Sequence, residues 1–235
     1  MSPDSLPFNK YDEMGAYHWI QCDRNSRMYN PPLEARYKVL LKRLGRPKRV
    51  LDVGCGDGYL MGLVSPLCKM VVGIDSEFSG IKLATAQLRP FANCTVGQAS
   101  CYDLPFTANC FDVILLADVI EHLEDPHLCL KELCRILMPS GTLLLTTAQW
   151  RPDRMWDRLH CKEYMPVEVK DCLERYFARV NMTFFWPLAW SNKYSTKIGF
   201  QMIRIFCRNL YNPLLRESAG QEKYGRIIAV CQQVR

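Results

Sequence analysis

The sequence predicts an α/β fold in which a mostly parallel sheet of seven strands carries helices on both faces. Two observations lead to this prediction. Short apolar runs of strand length alternate with helical patterns through the middle of the chain. A glycine-rich turn connects the first of these strands to the helix that follows it. The 235 residues, of which 49% are hydrophobic and 23% charged, have the composition of a folded globular protein with a buried core.

The elements follow in order from the N-terminus. Residues 32–44 place apolar side chains at helical spacing, with Pro32 in the first turn, and predict an N-terminal helix. Strands are expected at residues 50–54, 70–75, 93–97, 111–117, 142–148, 180–186 and 226–234. Further helices are expected at residues 58–69, 81–88, 126–137, 166–177 and 195–211. We divide one domain into an N-terminal arm (1–48), a core (49–186), an inserted cap (187–224) and a last strand (225–235).

Charge and cysteine content narrow the class of protein. A formal net charge of +6 is compatible with an acidic substrate, nucleic acid or an anionic membrane, and selects none of them. The sequence shows no secretory signal and no membrane-spanning apolar run, which predicts a cytoplasmic protein. The 12 cysteines include no Cys-x-x-Cys pair, which argues against structural zinc and predicts free thiols in a reducing compartment.

The strongest motif is LDVGCGDGYL, which follows a strand and opens a helix. Gly54, Gly56 and Gly58 allow a tight turn and a close approach of the backbone to a ligand. The helix that begins there presents free N–H groups at its N-terminus. The motif therefore predicts a ligand-binding loop at this edge of the sheet.

Two residues of the loop indicate which ligand it takes. A dinucleotide-binding loop has its third glycine where Tyr59 stands. Asp52 adds a negative charge, which suits the amino group of an amino-acid-like ligand better than a pyrophosphate. These features favour S-adenosylmethionine over NAD. Asp75 ends the second strand, and an acid there accepts hydrogen bonds from ribose hydroxyls, although a lone Asp at this point also serves as a helix N-cap.

The run from residue 50 to 148 resembles the class I methyltransferase family, which has a Rossmann-like fold, and its small-molecule branch most of all. VLDVGCGDGYL resembles motif I of the family, and GIDSE resembles the acidic motif after the second strand. The later segments SCYDLPF, NCFDVILLADVIEHLEDP and RILMPSGTLLLTT also resemble family segments. The resemblance implies an antiparallel last strand.

The resemblance also implies S-adenosylmethionine as the cofactor and assigns residues to it. The expected cofactor-binding residues are Asp52, Gly54, Cys55, Gly56, Asp75, Ser76, Ser100, Cys101, Leu116 and Ala117. Ser100 and Cys101 would lie near the adenine. The family often has Asp where Ser100 stands, so we expect adenine recognition to use the backbone and Cys101.

Candidates for the chemistry follow the fourth strand, because ligands of open α/β sheets bind at the carboxyl ends of the strands. Asp118, Glu121 and His122 stand there. His122 is a candidate general base for the acceptor. The alternative is a divalent cation held by these three residues, with His160 as the fourth ligand. The same Glu-His pair recurs in metal-free relatives, where it only packs.

Aromatic residues of the arm are candidates for the acceptor pocket. Tyr17, His18 and Trp19 would line it together with His160, or they simply pack under the arm. The run from Asn30 to Leu33 resembles the motif of amino-methylating DNA enzymes, but it lacks the aromatic residue and lies in the wrong place. Nucleic acid is therefore not the expected partner.

The segment 195–211 predicts an amphipathic helix with Lys197, Arg204 and Arg208 on one face. Its apolar residues include Ile198, Met202, Ile205, Phe206 and Leu210. Such a helix either lies on an anionic membrane or packs as a lid or dimer contact. On a membrane it would favour a lipid-linked acceptor.

We therefore expect methyl transfer from S-adenosylmethionine to oxygen of a small or lipid-linked acceptor. A metal-assisted RNA-end methyltransferase and a cofactor-binding module without turnover remain the alternatives. A nicotinamide oxidoreductase is the least favoured class.

Overall fold

The structure is a computed structural model that describes residues 10–152, 157–190, 196–220 and 223–235. Its strands are β1 (Arg49–Val53), β2 (Met70–Asp75), β3 (Cys94–Gln98), β4 (Phe111–Ala117), β5 (Leu137–Ala148), β6 (Phe177–Pro187), β7 (Glu217–Ser218) and β8 (Tyr224–Val234). Its helices are α1 (Lys10–Met14), α2 (Tyr17–Gln21), α3 (Pro31–Leu44), α4 (Tyr59–Val64), α5 (Phe78–Gln87), α6 (Pro126–Ile136), α7 (Pro166–Glu174) and α8 (Lys197–Asn209).

All strands join one sheet in the order β3-β2-β1-β4-β5-β8-β6-β7. Strands β1 to β5 are mutually parallel, and β8 runs antiparallel to β5, as the resemblance implied. The expected number of seven strands is corrected to eight. The additional strand is β7, whose two residues pair with Phe184 and Phe185 of β6. A strand of two residues is too short to show an alternating pattern of apolar and polar side chains. Glu217 of this strand forms ion pairs with Lys42 and Arg43 of α3.

Strand alternation sends side chains to both faces, and helices cover each face, as predicted. Ile114 and Leu116 of β4 pack with α6 and α7 in one apolar core. Val113 and Leu115 of the same strand pack with α3, α4 and α5 in the other. The alternating βα pattern of the sequence thus produces a sheet that is buried on both sides.

Local capping sets the helix ends. Asn30 caps α3, which begins with two prolines, and Asp125 accepts the N–H groups of His127 and Leu128 at the start of α6. The expected helix at 126–137 ends at Ile136, because the chain enters β5 at once rather than after the predicted Met-Pro-Ser-Gly turn.

The α8 helix packs by one face only. Ile203 and Cys207 are buried against Tyr29 of the arm. Arg204 and Arg208, expected on one face of this helix, donate hydrogen bonds to the backbone carbonyls of the arm residues Arg27 and Ser26. None of the described helices is both long and apolar enough to cross a bilayer.

Candidate active site

A cavity of about 610 Å³ opens at the carboxyl ends of the parallel strands, beneath the two short helices of the arm. Strands β1, β2 and β4 each contribute to its wall, as the Rossmann-like topology requires. Most of the residues predicted from the sequence line it. They are Tyr17, His18, Asp52, Gly54, Cys55, Asp75, Ser76, Ser100, Cys101, Ala117, Asp118, Glu121, His122 and His160.

The glycine loop forms one wall of the cavity. Gly54, Gly56 and Gly58 have φ values of 73°, 52° and 76°, in the left-handed region that glycine adopts without strain. The N–H groups of Gly54 and Cys55 donate to the carbonyl of Ile74 at 2.8 and 3.0 Å. These bonds tie the turn after β1 to β2 and hold the loop at the edge of the cavity.

Asp52 points a buried carboxylate toward this loop. It is 1% exposed, and its Oδ2 atom has no hydrogen-bond partner within the described part of the chain. Burial raises the pKa of Asp52 well above its usual range, and the neighbouring Asp75 and Asp57 raise it further. A buried carboxylate without a partner fits a cationic amino group, which is the group that methionine-derived cofactors carry.

Asp75 stands at the end of β2 and joins the glycine loop to the next helix. Its Oδ2 atom accepts the N–H of Gly56 at 2.8 Å, and its Oδ1 atom accepts the N–H of Glu77 at 2.9 Å. The carboxylate therefore stabilises the local turn and also lines the cavity. Burial raises its pKa, against the effect of these backbone donors.

The segment after β3 supplies the next wall. Ser100 accepts the N–H of Tyr102 through its hydroxyl at 3.2 Å, so its side chain shapes the turn. The pKa of the Cys101 thiol is lowered by its hydrogen bond with Cys129. Ser100 and Cys101 both line the cavity, and recognition of the adenine through the backbone and Cys101 stays a prediction.

Three predicted residues lie outside the cavity wall. Leu116 is fully buried in the core between β4 and its helices. Gly56 is covered by the hydroxyl of Tyr11, which sits directly on it. Trp19 donates its indole N–H to the carbonyl of Asp57 at 2.9 Å and packs its ring on Gly62. The expectation that Trp19 shares the pocket of Tyr17 and His18 is corrected, because one helical step turns its ring into the core.

Asp118 is the most strongly engaged of the three catalytic candidates. Arg36 lies 3.2 Å from its Oδ2 atom, Arg226 pairs with its Oδ1 atom, and Thr146 donates a hydroxyl at 3.0 Å. Burial alone would raise the pKa of Asp118, but the two guanidinium groups outweigh it and lower the pKa to about 2. Asp118 is therefore ionised and acts as a counter-ion.

Glu121 is buried beside this cluster. Its carboxylate accepts the hydroxyl of Thr147 at 2.8 Å and the N–H of Ala148 at 3.5 Å. Burial and the charge of Asp118 raise its pKa to about 7. Glu121 thus changes its protonation near neutral pH, while Asp118 does not.

His122 has a defined tautomer when its ring is neutral. Its Nδ1 atom lies 2.8 Å from the carbonyl of Leu159, which can only accept, so Nδ1 carries the proton. The lone pair is then on Nε2. Burial lowers the pKa of His122, and the nearby His160 ring, 4.8 Å away between centroids, lowers it further. The geometry suits a proton acceptor more than a cation.

The four predicted metal ligands do not assemble into a metal site. Within the described ranges, no group of three or more His, Cys, Asp or Glu side chains has the arrangement to hold a metal ion. Asp118 is occupied by arginines, and the Nδ1 atom of His160 lies 2.9 Å from Glu163. In the described part of the chain, Asp118, Glu121, His122 and His160 are therefore not arranged as ligands of one divalent cation.

Several lining residues were not predicted. Tyr11 covers the glycine loop, and Arg36, Trp186 and Arg226 lie beside Asp118. One feature of the sequence pointed to Arg226: a charged residue at the head of an otherwise apolar strand. Arg36 gave no comparable indication within its amphipathic helix.

Comparison with known proteins agrees with this site. Residues 51–145 match the family model described as a methyltransferase domain. This stretch of the chain has the sequence pattern of a methyltransferase domain. The mitochondrial ubiquinone biosynthesis O-methyltransferase of Schizosaccharomyces pombe is 34% identical to this chain over 156 residues, which are 61% of this chain and 56% of that protein.

Solved structures match the same fold. A methyltransferase from Aquifex aeolicus superposes with a TM-score of 0.55 and 24% identity, over 63% of this chain and 82% of that one. Haemonchus contortus phosphoethanolamine N-methyltransferase 2 superposes with a TM-score of 0.70 and 18% identity, over 97% of this chain and 60% of that one. The chain spans about half or less of the length of the curated relatives it matches.

Proposed function

We propose that this protein transfers a methyl group from S-adenosylmethionine to a small-molecule acceptor, and that the acceptor atom is oxygen. One observation carries the proposal. The glycine loop, Asp52 and Asp75 line the same cavity as Glu121 and His122. A cofactor held by the first group would present its methyl group to an acceptor beside the second, which is the alignment that methyl transfer requires.

The residues have distinct roles in this proposal. Asp52 pairs with the amino group of the cofactor, and Asp75 accepts its ribose hydroxyls. The bound cofactor supplies an electrophilic methyl group on sulfur. His122 takes the proton of an acceptor hydroxyl on Nε2 as the oxygen–carbon bond forms. Tyr17 and His18 close the cavity from the arm and exclude water.

Methylation at oxygen is supported by two considerations. A hydroxyl needs to lose its proton, and the neutral His122 ring provides a base in the wall of the cavity. Several relatives carry names that describe O-methylation in ubiquinone biosynthesis. Neither consideration applies to a non-catalytic binding module.

Isothermal titration tests the cofactor site directly. We expect the protein to bind S-adenosylmethionine and S-adenosylhomocysteine, and not NAD. Asp75→Asn removes one ionised acceptor and should weaken binding roughly tenfold to a hundredfold, the usual value of a charge-assisted hydrogen bond. Asp171→Asn, a change of the same type at an exposed position on α7, should leave affinity unchanged. Equal affinity in both variants would remove Asp75 from the site.

A second assay tests turnover and acceptor class. The protein would be incubated with a cell extract and S-adenosylmethionine labelled on the methyl group, and the products split into organic, small polar and macromolecular fractions. We expect label in the organic or small polar fraction. Label in RNA or protein would contradict a small-molecule acceptor, and cofactor binding with no label in any fraction would favour a binding module.

A further inference from the structure

We infer that the acceptor carries an oxyanion, a carboxylate or a phosphate, which is bound by Arg36 and Arg226. This inference rests on the proposed function, because it concerns the acceptor side of the same cavity. It adds a recognition site that the sequence analysis did not predict.

The two arginines come from distant parts of the sequence and meet at one wall. Arg36 lies on α3, and Arg226 lies near the start of β8, opposite Ala148 of β5. Both guanidinium groups lie over the ring of Trp186, at 5.9 and 5.6 Å from its centroid. In the sheet order, β4 and β5 separate β8 from the glycine loop after β1. The pair therefore occupies the part of the cavity left for the acceptor.

Among the described residues, the two guanidinium groups at this wall contact a single carboxylate. Asp118 neutralises one of the two guanidinium groups, and it contacts both. Glu121 is the next carboxylate, and its hydrogen bonds go to Thr147 and Ala148 rather than to either arginine. The remaining carboxylates of the cavity line other walls. Asp52, Asp75 and Glu77 belong to the cofactor side, and Glu124 and Asp157 to the loops after β4 and β5.

The guanidinium groups also have unused donors. The Nε–H groups of Arg36 and Arg226 are buried and have no acceptor among the described residues. Arg226 is only 6% exposed, and the side chain of Arg36 is 34% exposed. Buried donors without acceptors are uncommon in folded proteins, because each loses its hydration on folding. A carboxylate or phosphate on the acceptor would satisfy both and supply the missing negative charge.

Small oxyanion probes test this site in the complete protein, saturated with S-adenosylhomocysteine. The probes are benzoate and phenyl phosphate, and the neutral comparison is benzyl alcohol, which has the same ring. We expect at least one oxyanion to bind in calorimetry and benzyl alcohol not to bind measurably. The tighter of the two oxyanions then identifies the acceptor group as carboxylate or phosphate.

Variants assign the binding to the arginines. Arg36→Gln and Arg226→Gln should each weaken the oxyanion at least tenfold, while affinity for S-adenosylhomocysteine changes less than threefold. If the Arg226→Gln protein does not fold because Arg226 is buried, the Arg36→Gln protein still tests the site. Arg179→Gln, at an exposed position on β6, is the matched control and should bind like the original.

Two results would overturn the inference. One is a folded, S-adenosylhomocysteine-bound protein that binds neither oxyanion. The other is oxyanion binding that survives both arginine changes. Failure to bind S-adenosylhomocysteine would instead contradict the proposed function, and the oxyanion titration of the unliganded protein would still decide the role of the arginines.

Discussion

At His122, a single hydrogen bond decides which ring nitrogen can accept a proton. The carbonyl of Leu159 fixes the Nδ1–H, so a proton from the acceptor can go only to Nε2. Burial is the largest cause of its lowered pKa and keeps the ring neutral at neutral pH. The carbonyl of Leu159 sets the tautomer, and burial sets the protonation state. Both effects favour His122 as a general base.

Nuclear magnetic resonance titration measures this state without knowledge of the acceptor. Because the pKa is lowered, we expect His122 to be neutral above pH 6.5 and to gain a proton only below it. Activity that depends on the neutral ring should then persist at mildly acidic pH and fall as pH drops through that pKa. The His122→Gln protein identifies the resonance, and a His122 pKa above 6.5 would contradict the expected lowering by burial.

The arginine pair shows why part of the site escaped prediction at the residue scale. Gly54, Asp52 and Asp75 stand at fixed distances within one βαβ unit, so local sequence was enough to find them. Arg36 and Arg226 are 190 positions apart by number and meet only through the tertiary fold. The prediction for Trp19 was wrong for a related reason. The rotation of α2 about its own axis, which decides where the Trp19 ring points, depends on the residues against which the helix packs.

At the scale of elements, the long periodic segments were predictable and the short ones were not. Helix α6 has a cap, a proline and an apolar face, and the sequence located it within one residue at its end. Strand β7 has two residues and exists because Lys42 and Arg43 hold Glu217 in place. A strand that depends on contacts with a distant part of the chain cannot be predicted from the pattern of its own residues.

Helix α8 presents an apolar face that the domain leaves uncovered. Ile198, Met202, Ile205 and Leu210 are exposed, and Ile205 has 59% of its surface in contact with solvent. The helix contains no acidic residue and three basic ones. Arg204 and Arg208 donate to the arm, which leaves Lys197 as the basic group beside this face. We propose, as a refinement of the proposed function, that the apolar face contacts an anionic lipid surface and that the acceptor is lipid-linked.

Vesicle sedimentation tests this refinement. We expect binding to vesicles that contain phosphatidylglycerol and weaker binding to pure phosphatidylcholine. Ile205→Glu should reduce binding at least fivefold, because it places a charge in the apolar face. Val167→Glu, on α7 with 55% exposure, changes a similar apolar residue elsewhere and should have little effect. Equal sedimentation of the two variants would leave a lid or dimer contact as the role of this face.

At the scale of the whole molecule, Glu34 joins the arm, α3 and the chain after α8. It is almost fully buried and accepts hydrogen bonds from Tyr29 at 2.5 Å and from Asn212 at 3.0 Å. Arg24 and Lys38 lie 2.7 and 2.6 Å from its carboxylate. Burial alone would raise the pKa of Glu34, but these partners outweigh it and lower the pKa from 4.5 to about 2.

The pH dependence of unfolding tests this connection. A lowered pKa contributes stability that is fully present above pH 4.5 and is lost as pH falls toward 2. We expect Glu34→Gln to lower the free energy of unfolding by roughly 3 kcal/mol at neutral pH and to flatten its fall in acid. Glu174→Gln, in a half-exposed ion pair with Lys170, should change stability by less than about 1 kcal/mol. Thermal unfolding between pH 2 and 7 distinguishes them, and parallel curves for the two variants would rule out this role.

Strand β8 follows β6 and β7 in the sequence but lies between β5 and β6 in the sheet. A growing chain leaves the ribosome N-terminus first, so β1 to β5 can pair while β8 is still being made. During that interval β5 keeps an open edge, and β6 has only the two-residue strand β7 to pair with. Arg226 arrives with β8, so the wall beside Asp118 is completed at the same late moment. During synthesis, the side of the cavity at the glycine loop therefore forms first, and the side that would select the acceptor forms last.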